Sequence, residues 1–263
     1  MIAQLRQRLL ALQRPSGVTH GPDTLPLGIA GIDAMLGGGL MRGALHEIAA
    51  SGEAHLAAVT GFALGLIRLA ASSPRFFWIV EDMALAESGA LHGAGFDAFG
   101  LTPERHVTIS VAHRRDLLWA MEETLRCRAV HAVIGEIRCG EIDSVAVRRL
   151  SHTAAGSGAL AFLLRASPSN EASTAATRWI VSSAPSSITP GRQQRDRTFG
   201  ASRNDEAHGP GAPRLVAQLV RNRRGPVGSW ILEWSDRNGQ FILATHAQSV
   251  ATQALDRSHR QVA

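Results

Sequence analysis

The sequence predicts an α/β fold with a doubly wound, mostly parallel sheet. Two observations support this prediction. Compact apolar runs alternate with amphipathic helical patterns over the first two thirds of the chain, which is typical of parallel strands joined by crossover helices. Beyond residue 213, two short alternating strands follow one another with only a turn between them, which predicts an antiparallel hairpin at the sheet edge. The predicted strands are 75–80, 107–111, 129–137, 160–165, 178–182, 214–221, 229–234 and 240–245, and the predicted helices are 84–99, 114–127 and 142–155.

Composition narrows the chemistry that the chain can perform. Of its 263 residues 45% are hydrophobic, as in ordinary globular proteins, and the net charge is +5. All 27 residues counted as Lys+Arg are arginine, so the chain contains no lysine. This excludes a phosphate-binding lysine, a Schiff-base lysine and a lysine general base. Cys127 and Cys139 lack the spacing of a zinc site, and we expect two ordinary thiols and no metal.

The chain divides into a terminal helix, a core and a tail. Ile2, Leu5, Leu9 and Leu12 follow helical spacing, which predicts an amphipathic helix that could dock on a partner, and a Gly/Pro-rich linker extends to residue 26. The core is predicted at 27–248, with a mobile loop at 183–213 and a flexible tail at 249–263. No apolar run reaches the roughly 18 residues of a membrane span, and no signal peptide is evident, so a cytoplasmic protein without membrane contact is expected.

The stretch 27–58 has the outline of a phosphate-binding loop without its chemistry. An apolar run at 44–49 leads through a small-residue turn into a helix predicted to begin near His55, and Gly37–Gly39 before it predict a hairpin turn. A working loop has the form G-x-x-x-x-G-K-[ST], in which backbone amides and the lysine hold phosphate. Here the turn has Glu53 where an anion would approach, and no lysine.

This stretch resembles the first part of the RecA-type ATPase core, where a Gly-Ile-Asp turn precedes a Gly-rich loop and a Glu-Ile strand. The matching residues are Gly31-Ile32-Asp33, Gly37–Gly39 and Glu47-Ile48. Within that group, Leu219–Gly225 followed by Gly228–Trp234 is similar to the ImuA-type accessory proteins of bacterial damage-inducible mutagenesis. The resemblance covers about 27–245 and implies a RecA-like core.

Residue by residue, the resemblance places the two loop glycines at Ala50 and His55, the phosphate lysine at Leu56 and the magnesium-binding hydroxyl at Ala57. The family's two functional carboxylates fall near Asp82, beside Glu81, and near Glu136. Acids without a phosphate loop cannot orient water on a nucleotide, so we expect these acids to cap helices or pair with arginine. No cofactor and no enzymatic activity are therefore expected.

The resemblance implies an accessory role in SOS-induced translesion synthesis. The implied partners are RecA, an ImuB-like polymerase relative and an error-prone replicative-type DNA polymerase. Two alternatives remain open: a residual RecA/KaiC-like ATP-binding protein, and a cell-division inhibitor resembling SulA.

Two arginine groups are candidates for contact with DNA or a protein partner. If they shared one flexible face, they would bind phosphates in a salt-sensitive manner, although solvated surface charge is an equally good interpretation. Trp179, Trp230 and Trp234 lie in predicted strands and are expected to be core residues, with an interface anchor as the alternative. The arginines are Arg192, Arg195, Arg197 and Arg203 in the predicted loop, and Arg221, Arg223 and Arg224 in the turn after 221.

Overall fold

The computed structural model describes residues 23–71, 74–127, 129–138, 140, 142–186 and 212–244. In chain order the strands are β1 (Thr24–Leu25), β2 (Leu40–Met41), β3 (Ala44–Ala50), β4 (Phe76–Glu81), β5 (His106–Val111), β6 (Ala132–Ile137), β7 (Leu160–Arg165), β8 (Thr177–Ala184), β9 (Arg214–Asn222), β10 (Gly228–Ser235) and β11 (Gln240–Leu243). The helices are α1 (Ala30–Met35), α2 (Leu56–Ala70), α3 (Asp82–Ser88), α4 (Gly93–Ala98), α5 (Arg114–Leu125) and α6 (Ser144–Ser157).

Strands β3 to β11 form one mixed sheet in the order β11-β10-β9-β8-β3-β7-β6-β4-β5. The six strands from β8 to β5 in this order run parallel, and β9, β10 and β11 add antiparallel strands at one edge. The predicted mostly parallel sheet with antiparallel C-terminal edge strands is confirmed. We call the edge where the parallel strands end the carboxyl edge, and the opposite one the amino edge.

Each face of the parallel strands is covered by helices. One face packs against α2, α3 and α4 through residues such as Phe62, Ala84 and Phe96. The other face packs against α5 and α6, which contribute Leu117 and Leu150. Strands buried on both sides consist of continuous apolar residues, and β7 (LAFLLR) is buried over its first five positions.

Helix α2 packs against an aromatic cluster on the part of the sheet formed by β8, β10 and β11. Phe62 lies 5.5 Å from Trp179 and 5.4 Å from Phe241 between ring centroids, and Trp234 lies 5.0 Å from Phe241. Trp230 packs 6.1 Å from Trp179. Trp179 and Trp234 are therefore core residues, as predicted, and Trp230 is half-buried against that core.

By length and composition alone, the segment Glu53–Ala70 could cross a membrane. It comprises a 3₁₀ turn, Glu53–His55, and α2. In the fold, Val59, Phe62 and Leu66 of α2 lie in the core beneath the sheet.

One predicted helix is wrong, for a local reason. The single helix predicted at 84–99 is two helices, α3 and α4, because Gly89 adopts a positive φ of 74° and ends the first. Helix α2 begins at Leu56, directly after a 3₁₀ turn that ends at His55, so the predicted start near His55 is confirmed.

The glycines Gly37–Gly39 do not form the predicted hairpin turn. They connect α1 to β2, which pairs with β1 in a separate two-stranded sheet. Gly39 has a φ of 127°, and a Cβ there would overlap the backbone of Leu25. Strand β1 falls within the stretch predicted to be a linker. It has only two residues, which are too few to show the alternating pattern of a strand.

The β7–β8 connection is fixed to the sheet by a buried ion pair. Arg178 Nε lies 2.7 Å from a carboxylate oxygen of Glu47, and the guanidinium also donates to the carbonyls of Ser169 and Glu171 at 2.9 Å each. Ser173 donates its hydroxyl to the other Glu47 oxygen. This network holds residues 166–176 over β3 without a crossover helix.

Candidate functional site

The turn after β3 lies at the carboxyl edge, where open α/β sheets bind ligands. Its backbone is tied to neighbouring structure. Ser51 N–H donates to the Val181 carbonyl at 3.0 Å, and His55 N–H donates to Gly52 at 2.9 Å. The His55 ring accepts a hydrogen bond from the Ser183 amide at 3.1 Å. A phosphate loop needs amides that point into an open cradle, whereas these two amides and the His55 ring stabilise the turn against β8.

Leu56 is the residue at which the sequence resemblance places a phosphate lysine. Its side chain is half-buried and lines a pocket of about 10 Å³ together with Glu136, Arg138 and Leu164. A pocket of this size holds at most about one water molecule, whereas ligand pockets measure roughly 300–1,000 Å³. Ala50 is fully buried at the end of β3, and Ala57 is exposed in the first turn of α2. Of the four predicted phosphate-loop positions, Ala50 and Leu56 are packed against the fold, while His55 accepts a hydrogen bond from Ser183. Ala57 faces solvent.

Both carboxylate oxygens of Glu136 are used inside the protein. One lies 2.7 Å from Arg138, and the other accepts from the Trp78 indole N–H at 2.8 Å. Arg138 also donates to the Ser88 hydroxyl at 2.8 Å. The expectation that this acid pairs with arginine is confirmed.

The expectation for the other acids is not met in the form predicted. Glu81, and not Asp82, occupies the N-cap position of α3, and it makes no side-chain capping hydrogen bond. Asp82 is the first residue of that helix and is exposed to solvent. Its negative charge interacts favourably with the positive end of the helix dipole.

The arginines of the β9–β10 turn serve the fold. Arg221 donates to the Ser173 carbonyl at 2.5 Å, and Arg224 donates to the Gly37 carbonyl at 2.9 Å. Only the Arg223 side chain is exposed without a contact of this kind in the part of the chain described. Arg221 and Arg224 therefore link the turn to the β7–β8 connection and to the glycine segment, respectively.

The two predicted arginine groups do not share one face at their points of attachment. Asn222 pairs with Thr177, so the β9–β10 turn lies at the amino edge. Ala184 pairs with Arg214, so the chain leaves β8 and returns to β9 at the carboxyl edge. The loop arginines Arg192, Arg195, Arg197 and Arg203 and the helix residues Leu5, Leu9 and Leu12 lie outside the described residues.

A second crevice at the carboxyl edge was not predicted. It is an open groove of about 860 Å³ between the ends of β4, β5 and β6 and the first turns of α5 and α6. Trp119, 59% exposed, lines it together with Met83. The available signal was the phase of α5, since Trp119 falls off the face formed by Leu117, Leu118 and Met121.

The described residues offer no evident site for a metal ion. Among the residues that the structure describes, no three His, Cys, Asp or Glu side chains lie close enough together to hold a metal ion. Cys127 is an exposed free thiol, and Cys139 lies outside the described residues.

Comparison with known proteins supports the fold. No protein-family model matches the chain, and no curated protein sequence matches it. Among solved structures, the crystal structure of the RadB recombinase superposes with a TM-score of 0.53 at 14% sequence identity, covering 84% of this chain and all of that one. The fold is therefore that of the RecA-like α/β proteins, a class that includes this recombinase.

Proposed function

We propose that this chain is a non-catalytic accessory protein in damage-induced, error-prone DNA synthesis. The observation that supports it best is the state of the turn after β3. Leu56 replaces the phosphate lysine and packs against the ends of β6 and β7, and the neighbouring pocket has room for about one water molecule. A RecA-like core altered in this way retains its surfaces for protein partners but has lost the means to hold a polyphosphate.

The partners follow from the sequence resemblance to the ImuA-type proteins. They are a RecA filament, an ImuB-like polymerase relative and an error-prone replicative-type DNA polymerase, all in the cytoplasm and away from membranes. The terminal helix of Ile2, Leu5, Leu9 and Leu12 is one proposed docking element. Arg221 and Arg224 are bonded to carbonyls elsewhere in the fold, so direct DNA contact is proposed for the remaining candidates. They are Arg192, Arg195, Arg197, Arg203 and Arg223.

Binding assays with purified proteins test this function. The full chain is immobilised, and the ImuB-like polymerase relative or RecA assembled on single-stranded DNA is passed over it. Saturable binding of at least one of them is expected. Binding of neither, together with binding of a tubulin-like division protein, would favour the SulA-like alternative and refute the accessory role.

The terminal helix is tested by the double substitution Leu5→Asp with Leu9→Asp. Two aspartates on the apolar face prevent that face from packing on any partner. The expected result is weaker capture of RecA or of the polymerase relative. Unchanged capture of both would remove the helix from the proposed function while leaving the rest of it standing.

A further inference from the structure

The open groove at the carboxyl edge lies where the chain changes the face of the sheet that it covers. After β4 the chain continues into α3 and α4 on one face, and after β5 and β6 it continues into α5 and α6 on the other. Between strands whose connections diverge in this way, the strand ends are left uncovered and form a crevice. The groove is thus a consequence of the topology, and it is distinct from the small pocket beside Leu56.

Two of the side chains that line the groove are large, apolar and exposed. Met83 is 64% exposed and Trp119 is 59% exposed, and both line the groove. Trp78, Trp179 and Trp234 are buried and Trp230 is half-buried, so Trp119 is the one tryptophan that presents most of its surface to solvent in the described residues. Exposed tryptophan and methionine are enriched at protein–protein interfaces relative to other surfaces.

The charges around the groove are balanced, which favours a protein over a nucleic acid. Four arginines and four carboxylates line it, and a surface that binds a phosphate backbone needs a clear excess of positive charge. Two of the four arginines are already paired with carboxylates within the fold. Arg149 lies 2.8 Å from Glu122, and Arg138 lies 2.7 Å from Glu136, which does not line the groove. The lining charges are Arg114, Arg115, Arg138, Arg149, Glu81, Asp116, Glu122 and Asp143.

One arginine of the groove is available to a ligand. Arg115 is exposed and makes no hydrogen bond or ion pair with any residue in the described ranges. It precedes Trp119 by four positions in α5, so the two side chains are neighbours on one face of the helix. The indole ring of Trp119 can pack against an apolar side chain of a partner, and the guanidinium of Arg115 can bind a carboxylate next to that side chain.

We propose that this groove docks a segment of a protein partner, which inserts one large apolar side chain beside Trp119 and Met83 and places a carboxylate on Arg115. The choice of probes rests on the proposed function, since they are the polymerase relative and the RecA filament named there. The groove itself is defined by the fold and by exposed side chains of this chain.

The experiment compares dissociation constants of the full chain and its variants for these two proteins. The groove variants are Trp119→Ala and Arg115→Glu. The matched controls are Val227→Ala, an exposed apolar residue in the β9–β10 turn, and Arg105→Glu, an exposed arginine just before β5, both at the amino edge. Circular dichroism and thermal unfolding establish that all four variants fold.

The expected result is roughly tenfold or greater weakening by each groove variant for one of the two partners, with little effect of either control. If the wild-type chain binds a partner and the groove variants bind it equally well, the docking proposal is wrong and the proposed function stands. If the wild-type chain binds neither, both fail. A titration with a labelled oligothymidine is run in parallel, and loss of DNA binding with unchanged protein binding would reassign the groove to nucleic acid and overturn the proposal.

Discussion

Burial of the neutral His46 ring should make the folded protein less stable as the pH falls below about 6.5. His46 is fully buried in β3, and burial lowers the pKa of its imidazole from 6.5 to about 4. Its Nε2 lies 2.9 Å from the Met41 carbonyl, which only accepts, so Nε2 carries the proton. Its Nδ1 lies 2.7 Å from the Thr177 hydroxyl and accepts from it, while that hydroxyl oxygen accepts from the Trp179 indole at 3.0 Å. The bond from Thr177 requires an unprotonated Nδ1, whereas the bond to the Met41 carbonyl raises the pKa and offsets part of the effect of burial.

The sign and magnitude follow from proton linkage. Between pH 6.5 and about 4 the unfolded state binds a proton that the folded state does not, so stability falls as the pH falls through this window. For one such group the free energy of unfolding decreases by about 2 kcal/mol between pH 7 and pH 5. The pKa values of His106 and His131 are also lowered by burial, so both add to the loss in the same direction.

The assay is urea denaturation of the wild type and of His46→Gln at pH 7 and pH 5. Glutamine keeps an amide donor and an acceptor but cannot take up the proton, so the variant should be less stable at pH 7 and should lose about 2 kcal/mol less on going to pH 5. The difference between the two proteins removes the contributions of the other histidines. An equal loss in both proteins would refute the assignment of the acid sensitivity to His46.

Two further predictions concern packing and the buried ion pair, both measured by urea denaturation. A Cβ at Gly65 would overlap the Phe241 ring, so Gly65→Ala should cost about 1–3 kcal/mol, whereas Gly156→Ala, with no atom within 4 Å of the added Cβ, should be neutral or stabilise by up to about 1 kcal/mol. Equal effects would contradict the packing described. Glu47→Ala leaves Arg178 buried without its carboxylate and should cost about 3–5 kcal/mol, and a loss below about 1 kcal/mol would show that the pair is solvated.

The sheet could be predicted from the sequence because its signals are local. The run Leu160–Arg165 was predicted with the bounds that the structure has, since a continuous apolar strand bounded by small residues has few alternatives. The break between α3 and α4 was missed because Gly89 is a single residue whose positive φ cannot be distinguished from a tolerated helical glycine.

The candidate site was less predictable because its residues meet through the fold. The absence of any lysine is evident from the sequence, but the position of Leu56 against Glu136 and Leu164 depends on strands that are distant in the chain. Arg221 and Arg224 belong to a turn that looks like a solvated basic patch, and no sequence pattern shows that their donors bind backbone carbonyls of distant segments. To predict that Trp119 lines a groove, one needs both its phase in α5 and the position of Met83, which lies in another helix.

The most direct test of the central claim, that the turn after β3 no longer holds a nucleotide, is a calorimetric titration of the full chain with ATP and Mg²⁺. Because Leu56 is packed beside the turn and the turn is bonded to β8, no saturable heat is expected at ATP concentrations up to about 1 mM. A dissociation constant of about 1 mM corresponds to a binding free energy of only about 4 kcal/mol. The variant Leu56→Lys should also fail to bind, because a single lysine does not open the pocket. A saturable isotherm with micromolar affinity for the wild-type chain would contradict the account.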